Sequence, residues 1–162
     1  MAMKVSLGEV FDAAIQIERR GYDFYRKAAK ATSDKVFQKE LAALSKMEKG
    51  HAAVFTKLKE ELAGGKKETK QSASSKEAAR YLEAFAAGTV FNITDDASLA
   101  LSELPTVHDI LIFAIGRERD SILFYVGMRE MISDKSGIEK ISRIIKEEMD
   151  HVALLNRKLQ AL

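Results

Sequence analysis

The chain has 162 residues, enough for one domain with a buried core, and its 26 basic and 24 acidic side chains leave a formal net charge of +2. No basic run marks a nucleic-acid partner, and the lysines at 66, 67 and 70 lie in a Gly/Ser-rich stretch that reads as a solvated linker. With no cysteine, disulfides, thiolate zinc sites, cysteine-bound iron–sulfur clusters and cysteine nucleophiles are excluded, so a metal must be held by oxygen and imidazole nitrogen.

The N-terminal MAMKVSLGEV has no apolar core of signal-peptide length, and the longest apolar run, Ile110 to Ile115, is too short to cross a bilayer. The expectation is a soluble cytoplasmic protein with no membrane and no nucleic-acid partner.

Helix formers dominate and Pro105 is the only proline, so the spacing predicts an all-α chain. The first helix starts at Ser6, where Ser-Leu-Gly-Glu has capping-box spacing, and runs to about 31. The second covers about 34–63 and ends at Gly64-Gly65. A crossover over 64–105 follows: a linker at 64–75, a short helix at about 76–87 ended by Gly88, and a helical turn near 96–103. The third helix starts after Pro105 and covers about 106–132; the fourth covers about 136–161. Tight turns at 32–35 and 133–137 make two antiparallel hairpins, and the crossover is long enough to return along the bundle between them.

An internal repeat at an offset of 100 residues relates the two halves. Ala14, Ile15, Glu18, Arg19, Phe24, Tyr25, Ser33, Asp34, Lys35, Lys46, Glu48, His51 and Ala53 recur as Ala114, Ile115, Glu118, Arg119, Phe124, Tyr125, Ser133, Asp134, Lys135, Lys146, Glu148, His151 and Ala153. Two equivalent hairpins about a pseudo-twofold axis are the consequence.

Steps of three and four trace an apolar stripe on each long helix, and a glutamate interrupts each stripe near its middle: Glu18, Glu48, Glu118 and Glu148. On the second and fourth helices a histidine follows one turn later, His51 and His151, so Glu-x-x-His points both side chains the same way. Four carboxylates facing one interior would repel one another, and each would cost several kcal/mol to desolvate. Protonation or arginine pairing would relieve this in part. Two metal cations relieve it more completely and also use both imidazoles. Tyr25 and Tyr125 lie two turns beyond Glu18 and Glu118, placed to orient carboxylates of the opposite hairpin; the alternative is a core tyrosine satisfied elsewhere. Tyr22 is the third such candidate and reads more simply as core. His108 reads as a surface or capping residue, and Glu147 and Asp150 as solvated neighbours of the ligands.

With Ile17-Glu18-Arg19-Arg20-Gly21-Tyr22-Asp23-Phe24-Tyr25, Glu48-Lys49-Gly50-His51, Arg117-Glu118-Arg119-Asp120 and Glu148-Met149-Asp150-His151, the chain resembles the ferritin-like superfamily, and within it the diiron domain of rubrerythrin. The resemblance covers both hairpins and leaves 64–105 largely unaccounted for. It implies an antiparallel four-helix bundle, two iron ions (or manganese, or a mixed pair) on terminal or bridging Glu18, Glu48, Glu118 and Glu148, and one histidine, His51 or His151, completing each. Two departures stand out. Ser121 occupies the place of an additional rubrerythrin glutamate used in redox-linked ligand exchange, and the cysteine-rich electron-transfer domain has no counterpart. The resemblance therefore implies a more symmetric site served by a separate electron-donor protein; related bundles commonly pair as homodimers, sometimes exchanging hairpins, and cage assembly also occurs among ferritin-like proteins. The reaction it implies is reduction of hydrogen peroxide or oxygen, or oxidation of Fe(II), in defence against oxidants. Non-catalytic iron storage, delivery or sensing is the alternative, and a bundle with a vestigial site is the third.

Overall fold

The computed structural model of the chain describes residues 6–63, 73–87, 101–104 and 106–162. Among them the protein is all-helical: α1 (Leu7–Ala31), α2 (Lys35–Leu58), α3 (Ala73–Ala87), α4 (Val107–Arg129) and α5 (Lys135–Gln160). The capping residues explain where the long helices begin. Ser6 Oγ accepts from Glu9 N at 3.2 Å while Ser6 N donates to Glu9 Oε2 at 2.8 Å, the reciprocal box that satisfies two otherwise orphaned donors. Asp34 caps α2 through Val36 N and Phe37 N, and its repeat counterpart Asp134 caps α5 through Gly137 N. Thr106 caps α4 through Asp109 N.

Two boundaries differ from expectation. The final turn of the second helix widens into a π turn over Lys59–Ala63, and α3 begins at Ala73, so the last three residues of the expected linker are helical. Alanine and serine both fit a first helical turn, and the polar composition of the stretch hid this. The Gly64-Gly65 and Gly88 stops, and 96–100 of the expected turn, lie outside the described residues.

α1 with α2 and α4 with α5 form the two hairpins, and α1 also meets α4 while α2 meets α5. Side chains from both hairpins interlock in two apolar clusters. One joins Val10, Phe11 and Ile15 of α1 to Phe55 and Leu58 of α2, Met128 of α4 and Ile141 and Ile144 of α5. The other joins Phe24 and Ala28 to Phe37 and Leu41, Leu111 and Leu155. The clusters therefore lie at opposite ends of the bundle, and α2 ends at the end opposite the start of α4. At about 1.5 Å per residue these helices are about 35–40 Å long, which sets the distance the crossover must return. Each fully buried Leu or Phe contributes roughly 1.5–3 kcal/mol, so both ends are firmly fixed. What lies between the clusters is polar. No helix among the described residues is long and apolar enough to cross a membrane.

Candidate metal centre

Glu18 (α1), Glu48 and His51 (α2), Glu118 (α4), and Glu148 and His151 (α5) meet in that middle layer, none more than 4% exposed. Their donor atoms fall into two overlapping sets, each within 4.8 Å: Glu18, Glu48, His51 and Glu148, and Glu48, Glu118, Glu148 and His151. Glu48 and Glu148 belong to both sets, whereas Glu18 and Glu118 each belong to one, so a metal pair held here would share the first two. The Glu148 carboxylate sits between the two imidazoles, Oε1 at 2.8 Å from His51 Nδ1 and Oε2 at 2.8 Å from His151 Nδ1. The histidine rings lie nearly parallel, centroids 5.9 Å apart.

The chemistry of these atoms tests whether a metal pair fits. Glu18 Oε2, Glu48 Oε1, both Glu148 oxygens, His51 Nδ1 and His151 Nδ1 are buried and meet only one another, each Nδ1 lying 2.8–3.4 Å from two of these oxygens without a well-aligned hydrogen bond. Poorly satisfied polar atoms in a protein interior are costly, and six converging on one layer form a donor set of oxygens and imidazole nitrogens suited to iron or manganese. The residues fit two metal ions.

Electrostatics agree. Burial raises the Glu48 pKa well above the usual carboxylate range, and Glu118, Glu18 and Glu148 push the same way. Burial likewise raises Glu18 despite hydrogen bonding to His51, and lifts Glu118 to about 7. Glu148 alone is held down, to about 2, because His151 and His51 outweigh its burial. Burial would lower the imidazole values, but the carboxylates override it and raise His51 to about 11 and His151 to about 12. In the metal-free protein, protons on the imidazoles therefore supply the neutralising charge that cations would otherwise bring.

Two tyrosines cross between the hairpins. Tyr25 donates to Glu118 Oε1 and Tyr125 donates to Glu18 Oε1. Each hydroxyl thus fixes one oxygen of a carboxylate; in Glu18 the other oxygen faces His51, whereas in Glu118 the held oxygen is itself 3.6 Å from His151 Nδ1. Burial, then the adjacent carboxylates, keep both tyrosine pKa values well above 10, so they remain donors. Tyr22 is different: half-buried, it carries the Arg26 guanidinium 5.7 Å over its ring. Among the described residues its hydroxyl makes no hydrogen bond to a site carboxylate. His108 is exposed at the start of α4, 3.9 Å from Asp109, and Asp150 is exposed as well.

Glu147 corrects the sequence reading. Partly exposed, it nevertheless reaches the centre: its Oε2 lies 2.8 Å from His51 Nε2, and its Oε1 accepts from Arg143 Nε at 3.0 Å. The stripe rule assigns the inward direction to Glu148 and turns Glu147 outward by roughly 100°, yet α2 packs so close to α5 that the outer nitrogen of His51 reaches it. The signal for it lay in the repeat, where position 147 is glutamate and position 47 methionine. A cavity of about 540 Å³ between α2 and α5, lined by Met47, Gly50, His51, Arg143, Ile144 and Glu147 among others, brings solvent to this edge of the centre.

No protein-family model matches the chain, and no curated protein matches it significantly. Among solved structures, the chain is similar to the crystal structure of a candidate ferritin-like diiron-carboxylate protein from Thermotoga maritima. The two are 22% identical, with a TM-score of 0.73, over 99% of this chain and 98% of that one. What this likeness establishes is architecture: this chain has the ferritin-like helical-bundle fold.

Proposed function

We propose that the protein holds a pair of iron ions on Glu18, Glu48, His51, Glu118, Glu148 and His151, and uses them to reduce hydrogen peroxide or oxygen or to oxidise Fe(II). The observation that carries the reading is the convergence of buried carboxylate oxygens and Nδ1 atoms from four helices on one layer, several of them without a well-formed hydrogen bond. The similar Thermotoga maritima protein is itself a candidate diiron-carboxylate protein, which agrees with it. Iron bound there would supply the electrons, one from each ion, that reduce the oxidant. The chain's own residues hold and screen. Glu48 and Glu148 offer one carboxylate to both positions, Tyr25 and Tyr125 orient the terminal glutamates, and the apolar clusters above and below exclude water. The cavity at His51 admits a small oxidant from the side. With no cysteine in the chain, the reducing electrons come from a separate donor protein.

A second reading, iron storage, delivery or sensing, draws support from Ser121, which stands where the resemblance calls for an exchangeable glutamate; its hydroxyl instead donates to Arg117 O at 3.0 Å. Metal analysis and stopped-flow kinetics separate the readings. The anaerobically loaded protein is expected to hold two iron ions per chain, with Glu48→Ala and Glu148→Ala each losing most of them. Rapid reoxidation by peroxide or oxygen that repeats with added reductant identifies the enzyme. A single slow oxidation identifies storage or sensing, and full metal content in both variants would place the site elsewhere.

A further inference from the structure

We propose that the two metal positions are inequivalent: the position bounded by Glu18 and His51 binds its ion more tightly and fills first, because Glu147 backs His51 while Met47 backs His151. This rests on the dimetal reading above. The repeat makes the two donor sets chemically alike, each with one terminal glutamate, one histidine and a share of Glu48 and Glu148. Tyr25 and Tyr125 are matched in the same way. The symmetry fails one residue before each bridging glutamate. His51 Nε2 lies 2.8 Å from the Glu147 carboxylate, whereas His151 Nε2 lies 3.4 Å from Met47 Sδ.

An imidazole that gives Nδ1 to a metal keeps its proton on Nε2, and the group that accepts this proton sets both tautomer and basicity. A carboxylate accepts a short, charge-assisted hydrogen bond; a thioether is a weak acceptor. Arg143 holds Glu147 in place through its other oxygen. Another break in the repeat close to the ligands, Gly21 against Ser121, offers no such acceptor, since the serine hydroxyl is spent on its own helix. Loss of such an outer carboxylate typically costs about 10–100-fold in metal affinity, and that is the expected ratio between the two positions.

The test is an anaerobic titration of chelator-stripped protein with Co(II), followed by visible absorption and calorimetry. The wild type is expected to bind two ions in steps about 10–100-fold apart in Kd. Anomalous diffraction from crystals with one equivalent of cobalt should place that ion between Glu18 and His51. Met47→Glu should tighten the weaker step and draw the two together; Glu147→Met should weaken the stronger step instead. Both side chains border solvent at the cavity, so folding is expected to survive, and circular dichroism checks it. Repulsion between adjacent ions also separates two steps, but it would persist in Met47→Glu. An unchanged ratio in that variant, or even occupancy with one equivalent, overturns the inequivalence while leaving the dimetal centre standing. Fewer than two ions bound by wild type overturns both.

Discussion

Gly21 of α1 faces the bridging carboxylate of Glu48 so closely that a Cβ at that position would lie 2.2 Å from Glu48 Oε2 and 3.1 Å from Cδ. The backbone of α1 does not need glycine there, since it is helical throughout. The absence of a side chain makes room for a ligand. Gly21→Ala is therefore expected to separate two properties that usually change together. Helix propensity improves by up to about 1 kcal/mol, so the chelator-treated protein should melt no lower than wild type. The end of Glu48 must swing away from the shared position, and metal affinity should fall by about tenfold or more. Ser121→Ala, at the matching place in the other half, should leave affinity unchanged. Equal metal content in Gly21→Ala and wild type would show that Glu48 is not a ligand in this conformation. At this scale the six candidate ligands were legible because each breaks an apolar stripe at a repeated position. Gly21 and Glu147 were not, because their roles come from how closely neighbouring helices approach, and a single helix pattern carries no such distance.

Among the elements, α4 is the one whose pattern says least about its orientation. Its buried residues include Leu111, Phe124 and Met128, yet Ile112 and Leu123 on the same helix are 51% and 50% exposed. An apolar residue on nearly every side leaves several faces that could serve as the core stripe, and only packing against α1 and α5 selects one. α3 lies against another flank of α4. Leu82 inserts into the apolar cluster, Tyr81 Oη donates to Leu123 O at 3.1 Å, and Gly127 allows the approach, since a Cβ there would lie 2.6 Å from the Tyr81 ring. The sequence located this helix to within a few residues but carried no mark of which neighbour it covers, because a docking partner depends on the path of the whole crossover. Gly127→Ala should weaken the docking by roughly 1–3 kcal/mol, the usual cost of overpacking. Hydrogen exchange at 73–87 should then accelerate while metal content stays at the wild-type value. Unchanged protection there would mean that Tyr81 swings aside at no cost and that Leu82 alone holds α3.

For the whole molecule, the charged layer between two apolar ends ties stability to pH and to metal. In the metal-free protein His51 and His151 have raised pKa values, about 11 and about 12, because Glu148, Glu18, Glu118 and Glu48 outweigh the opposing effect of burial. By linkage their contribution is complete below the ordinary value of 6.5 and is lost as pH rises toward those values. Glu148, held at about 2, contributes stability that is complete above 4.5 and is lost as pH falls. Glu118 acts against the fold: pushed up to about 7, it is ionised first in the unfolded chain, so stability declines between pH 4.5 and 7. Glu18 and Glu48, also raised by burial, act the same way, so the metal-free protein is expected to melt highest near pH 4.5. Metals require the opposite protonation, neutral imidazoles and ionised carboxylates, so loading should release protons and favour higher pH. At free metal about 100 times Kd, each bound ion adds roughly 2.7 kcal/mol. In a protein of this size that raises Tm by about 5–10 °C. Scanning calorimetry with chelator, and with anaerobic Fe(II) or Mn(II), checks this across mildly acidic to mildly alkaline buffers. The chelated curve should fall toward the alkaline side while the gap between the curves widens. A gap of constant size would mean that binding displaces no protons from these residues, which would move the metal away from His51 and His151.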